Sequence, residues 1–379
     1  MSEIIVGADI VPTPSNQAIF ESGNMDIVVD EKIQNILSNV DYRIFNLEVP
    51  LTDSETPIKK CGPNLRASTK AVRGLNCLKV DFVTLANNHI MDQDVQGLDS
   101  TIKVLNSANI AYAGAGDRLA TAEVPHVFEI DGVCVGVYCC AEHEFSIAQN
   151  NHAGANPFDP LESLDHIAQL KSKCDYVICL YHGGKEHYRY PSPELQKKCR
   201  KIVEKGADLV VCQHSHCIGC MEEYDKGTII YGQGNFLFDD SESIFWRTSL
   251  LLKIDLKNRN LEYIPVCKNE NAVRMADLSE KKNILNEFFF RSQEILKNGE
   301  LEKRYEEFAA SMLSDYILKG DTVASSIIFR IINKISKNRL REYMTKKRVQ
   351  KYKYALINQY DCEAHRELIL KGLEISENE

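Results

Sequence analysis

Nowhere in the 379 residues is there an apolar run long enough to cross a bilayer. The longest, such as Val133 to Ala141, fall far short of the roughly 20 residues a spanning helix needs. A basic, signal-like opening is missing too, because Met1-Ser-Glu leads straight into a short strand-like run. Both absences predict a cytoplasmic protein with no transmembrane segment. A basic excess is also lacking: the formal charge is −9, with 26 Lys and Arg against 38 Asp and Glu in residues 1–279 and 19 against 16 in residues 280–379. The acidic larger part makes nucleic acid an unlikely partner, since phosphate backbones reward basic surfaces, and it suits metal cations better. No short-period repeat or low-complexity tract appears. Of the 13 cysteines, Cys217 and Cys220 form a Cys-x-x-Cys, but no second such pair exists to complete a zinc site. Most of the others lie inside apolar runs, where a free thiol behaves as a small hydrophobe in a reducing compartment.

What the chain does have is apolar material and alternation. At 44% apolar residues it can bury a large core, and its length favours two to three domains. Runs rich in Val, Ile and Tyr at Ile4–Val11, Arg43–Val49, Phe82–Leu85, Val133–Cys140, Tyr176–Tyr181, Leu209–Cys212, Thr228–Tyr231 and Leu250–Leu256 read as strands. Between them, Asp94–Ala108 and Pro193–Gly206 carry apolar residues at three- and four-residue spacing and read as helices. That order implies an α/β fold. Lys257-Asn-Arg-Asn260 between two apolar runs predicts a hairpin. Beyond about residue 270 the strand signals fade. Segments 280–298, 300–318, 322–345 and 346–372 carry helical periodicity punctuated at Gly299, Gly320 and Gly372, which divides the chain into domains 1–270 and 280–379. From Arg330 to Lys353 there are ten basic residues against the single acid Glu342. This is either a solvated face balancing the acidic part or a contact for an acidic polymer, a nucleic acid or a peripheral membrane surface.

Five polar clusters end strand-like runs. Asp9 closes the first run, where α/β sheets display functional side chains, although an Asp there also serves as a turn or cap. Glu48 is embedded in Phe45-Asn-Leu-Glu-Val-Pro, where a carboxylate needs a cation, either a metal or a basic side chain. Asn46 reads as a residue that orients the loop. Asn87-Asn88-His89 follows Phe82-Val-Thr-Leu-Ala86, so Asn88 is a candidate ligand and His89 a candidate acid, with Asp92 either holding the His89 ring or capping the next helix. His182 ends the run from Tyr176 and precedes two glycines. His214 and His216, two apart on an expected extended segment, would face one side roughly 6.5–7 Å apart and serve two neighbouring ions. Carboxylates, amides and imidazoles together suit a two-ion centre, in which divalent ions about 3.5–4 Å apart hold a phosphoryl oxygen and sharpen a bridging water into hydroxide.

The order and wording of these segments resemble the CapA, or poly-gamma-glutamate capsule biosynthesis (PGA-cap), family within the calcineurin-like metallophosphoesterase superfamily. The resemblance covers roughly residues 4–267. It rests on Asn46-Leu-Glu-Val-Pro-Leu-Thr52, Leu85-Ala-Asn-Asn-His89 with Asp92 and Gly97, Ala113-Gly-Ala-Gly116, His182-Gly-Gly-Lys-Glu186, Gly206-Ala-Asp-Leu-Val-Val-Cys-Gln-His-Ser-His216 and Tyr231-Gly-Gln-Gly-Asn-Phe236. It implies a four-layer α/β/β/α sandwich followed by a helical C-terminal region. It also implies two divalent ions (Mn, Fe or Zn): Asp9 and His216 on one, Asn88, His182 and His214 on the other, Glu48 bridging, and His89 as acid. The chain departs from the pattern at four places. Val11 stands where the superfamily's first motif has a His, Gly183 where an aromatic usually follows the strand His, Gln213 where Gly or His is commoner, and Ala8 where Gly is usual.

The activity this implies is hydrolysis of a phosphoric ester by hydroxide held between two ions, linked to synthesis of an anionic capsule polymer and to the proteins that make it. Two alternatives use the same residues. One is a non-catalytic assembly or binding protein for the polymer; the other is metal-dependent hydrolysis of gamma-glutamyl amide bonds.

Overall fold

The computed structural model describes residues 2–238, 243–319, 323–324 and 326–376. Two facing β-sheets form the centre of the first unit. In the larger, eight-stranded sheet, Glu3–Ile10, Tyr42–Leu47, Phe82–Thr84 and Ala111–Ala113 lie parallel and in that order. Thr248–Asp255, Asn260–Asn269 and Ala272–Met275 extend the sheet antiparallel from the other side of the first strand, and the short Asn235–Leu237 also pairs with that strand. The six-stranded sheet runs Met221–Tyr224, Gly227–Tyr231, Leu209–Gln213, Tyr176–His182, Val133–Ala141, His126–Ile130.

The period of two along a strand explains how the layers stack. On Tyr176–His182, Ile178 and Leu180 join one buried cluster with the first sheet's Ile4, Val6, Phe45 and Leu252, while Val177, Cys179 and Tyr181 join a second cluster with Ile167, Leu195, Cys199 and Ile202. The first cluster joins the two sheets. The second lies under helices Ser163–Lys171 and Pro193–Glu204, so both faces of the strand are covered and every one of its residues is buried. Helices Glu31–Asn39, Val72–Cys77 and Asp94–Ser107 turn Ile33, Leu37, Leu75, Leu98 and Leu105 into the core of the first sheet. The result is the expected α/β/β/α sandwich. All 13 cysteines are free thiols; Cys140, Cys179, Cys199, Cys212 and Cys220 fill the layer between helices and second sheet.

The expected hairpin forms, with Asp255 paired to Asn260 across it. Helix Leu278–Glu294 belongs with the sandwich. Asp277 caps its start, Ser292 Oγ accepts from the Met221 amide at 2.9 Å and Arg291 Nε donates to the Gly219 carbonyl at 2.8 Å. The compact units are accordingly Met1–Leu301 and Glu302–Glu379, with the division later than the composition change near residue 270.

The second unit is helical, but its breaks differ from those expected. Gly299, at φ 74°, lies just before helix Glu300–Ile317 as anticipated. Gly320 is outside the described residues. Segment 322–345 splits at Ser336–Asn338 into Ile327–Ile335 and the start of a long helix, Arg339–Asp361, which runs through the expected junction at 345/346. The break before the last helix comes at Cys362, and Gly372 lies inside Glu363–Ser376. One glycine in a helix costs only about 1 kcal/mol, which the flanking Leu, Ile and Glu formers override. Among the described residues no helix is long and apolar enough to cross a membrane.

Candidate metal centre

Register brings the polar clusters together. Asp9 sits level with Asn46 on one neighbouring strand and Asn235 on the other, and in the second sheet Gln213 sits level with His182. The ends of the parallel strands therefore share a rim. Asp9, Glu48, His182, His214 and His216 meet there, all at least 94% buried.

Two sets of donors emerge. Ligand atoms of Glu48, His182 and His214 lie within 4.8 Å of one another, as do those of Asp9, Glu48 and His216; Glu48 belongs to both. Around His182 Nε2 three atoms crowd: Asn88 Oδ1 at 3.0 Å, His214 Nδ1 at 3.2 Å and Glu48 Oε1 at 3.4 Å. Asp9 Oδ2 is 3.8 Å from His216 Nδ1. Both oxygens of Glu48, and Asp9 Oδ2, are buried without a hydrogen-bond partner. Such atoms are costly to bury unless a cation meets them. Divalent-cation binding fits these donors, since carboxylate, imidazole and amide oxygen are all groups that ligate divalent metals.

The electrostatics agree. Burial alone pushes the Glu48 carboxyl up, but His182, His216 and His89 outweigh it and hold the group well below the usual carboxylate range. Burial, then the nearby charge of Glu48, pushes Asp9 upward. A cation bound by these carboxylates would let both ionise. Burial, reinforced by His182, pulls His214 well below its ordinary value, which keeps the imidazole in the neutral form that ligates metals.

His214 and His216 reach the rim by a route the sequence does not show. The strand ends at Gln213, and the two histidines sit beyond it at φ 96° and 53°, in the left-handed region. Their rings are 6.0 Å apart because the loop turns, and strand alternation plays no part. Non-glycine residues rarely adopt this conformation, and such strain concentrates where a site holds it in place. His216 Nδ1 is fixed 2.9 Å from Asn235 Oδ1.

Beside the donors, His89 Nδ1 lies 2.6 Å from Asp92 Oδ2. Asp92 is fully buried and also accepts from the Leu65 amide at 2.6 Å. It does not cap the following helix, whose N-cap position is Gln93. Lys60, with a side chain only 3% exposed, pairs with Asp92 Oδ1 and places Nζ 3.2 Å from His89 Nδ1.

Of the residues expected at the site, Asp9, Glu48, Asn88, His182, His214 and His216 converge, with His89 and Asp92 alongside. Asn46, expected to orient a loop, is in the strand instead, donating from Nδ2 to Asp9 Oδ1 at 2.8 Å and lying 3.3 Å from His182 Nδ1, so it orients two of the donor side chains. Sequence reasoning gave no role to two more residues. Asn235 was legible only as part of Tyr231-Gly-Gln-Gly-Asn-Phe236. Lys60 lies in a segment without periodicity, and nothing in the sequence marks it.

The departures from the family pattern also find reasons. A Cβ on Gly183 would lie 2.5 Å from Glu142 Cγ and 2.6 Å from the Tyr181 ring, so a larger residue would have to displace one of them. Gln213 Nε2 donates to the Gly7 carbonyl and to Gln233 Oε1, both at 3.2 Å, and so ties the two sheets together. Val11 and Ala8 are fully buried in the larger apolar core.

The model of the bacterial capsule synthesis protein PGA_cap family matches residues 4–240. The chain belongs to this family. The capsule biosynthesis protein CapA of Bacillus anthracis is 28% identical over 262 residues, covering 65% of this chain and 63% of that one. The PGA biosynthesis protein CapA of Bacillus subtilis (strain 168) is 28% identical over 233 residues, covering 59% and 60%. This PGA_cap chain thus spans about three-fifths of the length of these relatives. Similar solved structures include a phosphatase from Mycoplasma pneumoniae (15% identity, 75% of this chain and 98% of that one, TM-score 0.46) and a 5'-nucleotidase precursor from Thermus thermophilus (12%, 76% and 58%, TM-score 0.42).

Proposed function

We propose that this PGA_cap protein is a metal-dependent hydrolase of phosphoric esters acting in the synthesis of an anionic capsule polymer. The observation that carries the reading is Glu48: a fully buried carboxylate whose two oxygens accept no hydrogen bond, shared by two three-residue donor sets. Asp9, His216 and Glu48 would hold one divalent ion, and Glu48, His182, His214 and Asn88 the other. Bound there, the ions supply Lewis-acid polarisation of a phosphoryl oxygen and water made acidic near neutral pH.

The chain's own side chains supply the rest. Asp92 accepts from His89 Nδ1, which leaves Nε2 free to carry the proton that a departing alkoxide needs. Lys60, paired with Asp92, holds the carboxylate against the ring. Asn46 and Asn235 fix Asp9, His182 and His216 before any ligand arrives, which saves their reorganisation on binding.

The test is elemental analysis of the purified protein together with turnover of an aryl phosphate and a phosphodiester. The reading requires bound metal and turnover that falls in His89→Ala while metal content stays. Metal without turnover on a broad phosphoester panel favours the second reading, a binding or assembly protein. That reading is supported by Val11, an apolar residue buried where the resemblance implies a further imidazole ligand.

A further inference from the structure

Helix Ile327–Ile335 is held to its own unit by one face only. Ser326 Oγ caps its start by accepting from the Phe329 amide, Phe329 is buried, and Asn333 Oδ1 accepts from the Arg341 amide at 3.0 Å at the foot of the next helix. Phe329 and Asn333 are four apart and share that face. The opposite face carries Ile327, Ile328, Ile331, Ile332 and Ile335, each between 47% and 77% exposed. At 100° per residue these five fall within one arc of about 140°. A soluble surface rarely collects five exposed isoleucines on nine residues, so something covers them.

We propose that this face lies on an anionic phospholipid surface. Arg330 and Lys334 border the arc on one side, Lys337 and Arg339 follow at once, and no carboxylate occurs between Ser326 and Arg341. The charge pattern discriminates between occupants. An acidic polymer or a nucleic acid would take the cations and leave the isoleucines in water. An acidic bilayer takes both: the isoleucines enter the boundary between headgroups and acyl chains while the lysines and arginines meet the phosphates. The helix is far too short to span and has the composition of one that lies in the interface plane. Fixed before binding by Phe329 and Asn333, it presents the face without folding on contact.

The test is flotation of the full chain with vesicles of phosphatidylcholine alone or with about one-third phosphatidylglycerol. Wild type is expected to float with the anionic vesicles, and partition to fall about tenfold or more on neutral vesicles or in high salt. Ile331→Ser with Ile335→Ser should lower binding to anionic vesicles about tenfold or more, while Ile331→Leu with Ile335→Leu keeps it. Because these positions are exposed, helical content by circular dichroism and turnover of an aryl phosphate should stay as in wild type. Four results would overturn the proposal. They are no flotation with anionic vesicles; flotation unchanged by the serine pair; binding of soluble poly-glutamate in place of vesicles; or a dimer that the serine pair dissolves with no vesicle binding.

Discussion

Lys60 Nζ lies 3.2 Å from His89 Nδ1 and pairs with the same Asp92 that grips the ring. Three residues from two distant segments thus form one buried unit beside the donors. Asp92→Asn should lower kcat by about 10²-fold or more, because a neutral amide no longer anchors Nδ1–H and so no longer stabilises the protonated ring whose Nε2 gives up the proton. Lys60→Met should cost less, about tenfold, with Lys60→Arg restoring part of it. Steady-state kinetics with metal analysis checks this, since both variants should keep metal content while kcat falls and KM holds. Equal loss of metal would mean that the trio supports the donors and not the proton.

His182 Nε2 lies within 3.4 Å of Asn88, His214 and Glu48, at the centre of one donor set, so it should dominate ligand retention there. His182→Ala should cut metal affinity by about 100-fold or more and lower the melting temperature of the metal-loaded protein towards that of the chelator-treated one. Calorimetry before and after chelation reads both effects.

Two glycines separate packing from propensity. A Cβ on Gly7 would sit 2.0 Å from the Phe45 ring, two residues before Asp9 in the first strand. Gly7→Ala should destabilise by about 3 kcal/mol and displace Asp9. Gly372, in a helix with no neighbour within 4 Å of its would-be Cβ, behaves oppositely: Gly372→Ala should add about 0.5–1 kcal/mol of local helix stability. Denaturant unfolding and hydrogen exchange distinguish the two.

Glu280 closes a capping box with Asp277 and forms a bidentate pair with Arg274, both contacts 2.7 Å. Hydrogen bonds from Arg274 lower its carboxyl to about 2 from an ordinary 4.5. The folded pKa is depressed, so the stabilisation is complete above about pH 4.5 and is lost as pH falls towards 2. Glu280→Gln should therefore be less stable than wild type at neutral pH, with the difference shrinking through that acid window. Urea midpoints measured from pH 7 to 3 give the comparison.

The strands were legible because Val, Ile and Tyr mark them and because sheets covered on both faces leave near-continuous apolar runs. Tyr176–His182 and Val133–Ala141 differ from their expected limits by one residue at most. The site was legible because a carboxylate such as Glu48 inside an apolar run demands a partner. The loop geometry of His214 and His216 was not, since a left-handed conformation outside glycine leaves no mark in composition. Lys60 was hidden for a related reason: its segment has no periodicity, and only the folded chain brings it to Asp92. The helical unit gave the right element type and poor limits, because glycine alone does not end a helix whose neighbours favour it.

The shared carboxylate decides the account. Inductively coupled plasma mass spectrometry of wild type and Glu48→Gln, purified in parallel, tests it most directly. The account predicts two equivalents of divalent transition metal in wild type, and at most a weakly held one in the variant, with the fold kept by circular dichroism. A metal-free wild type that takes up neither Mn, Fe nor Zn on titration, or a variant that keeps the full complement, would contradict it.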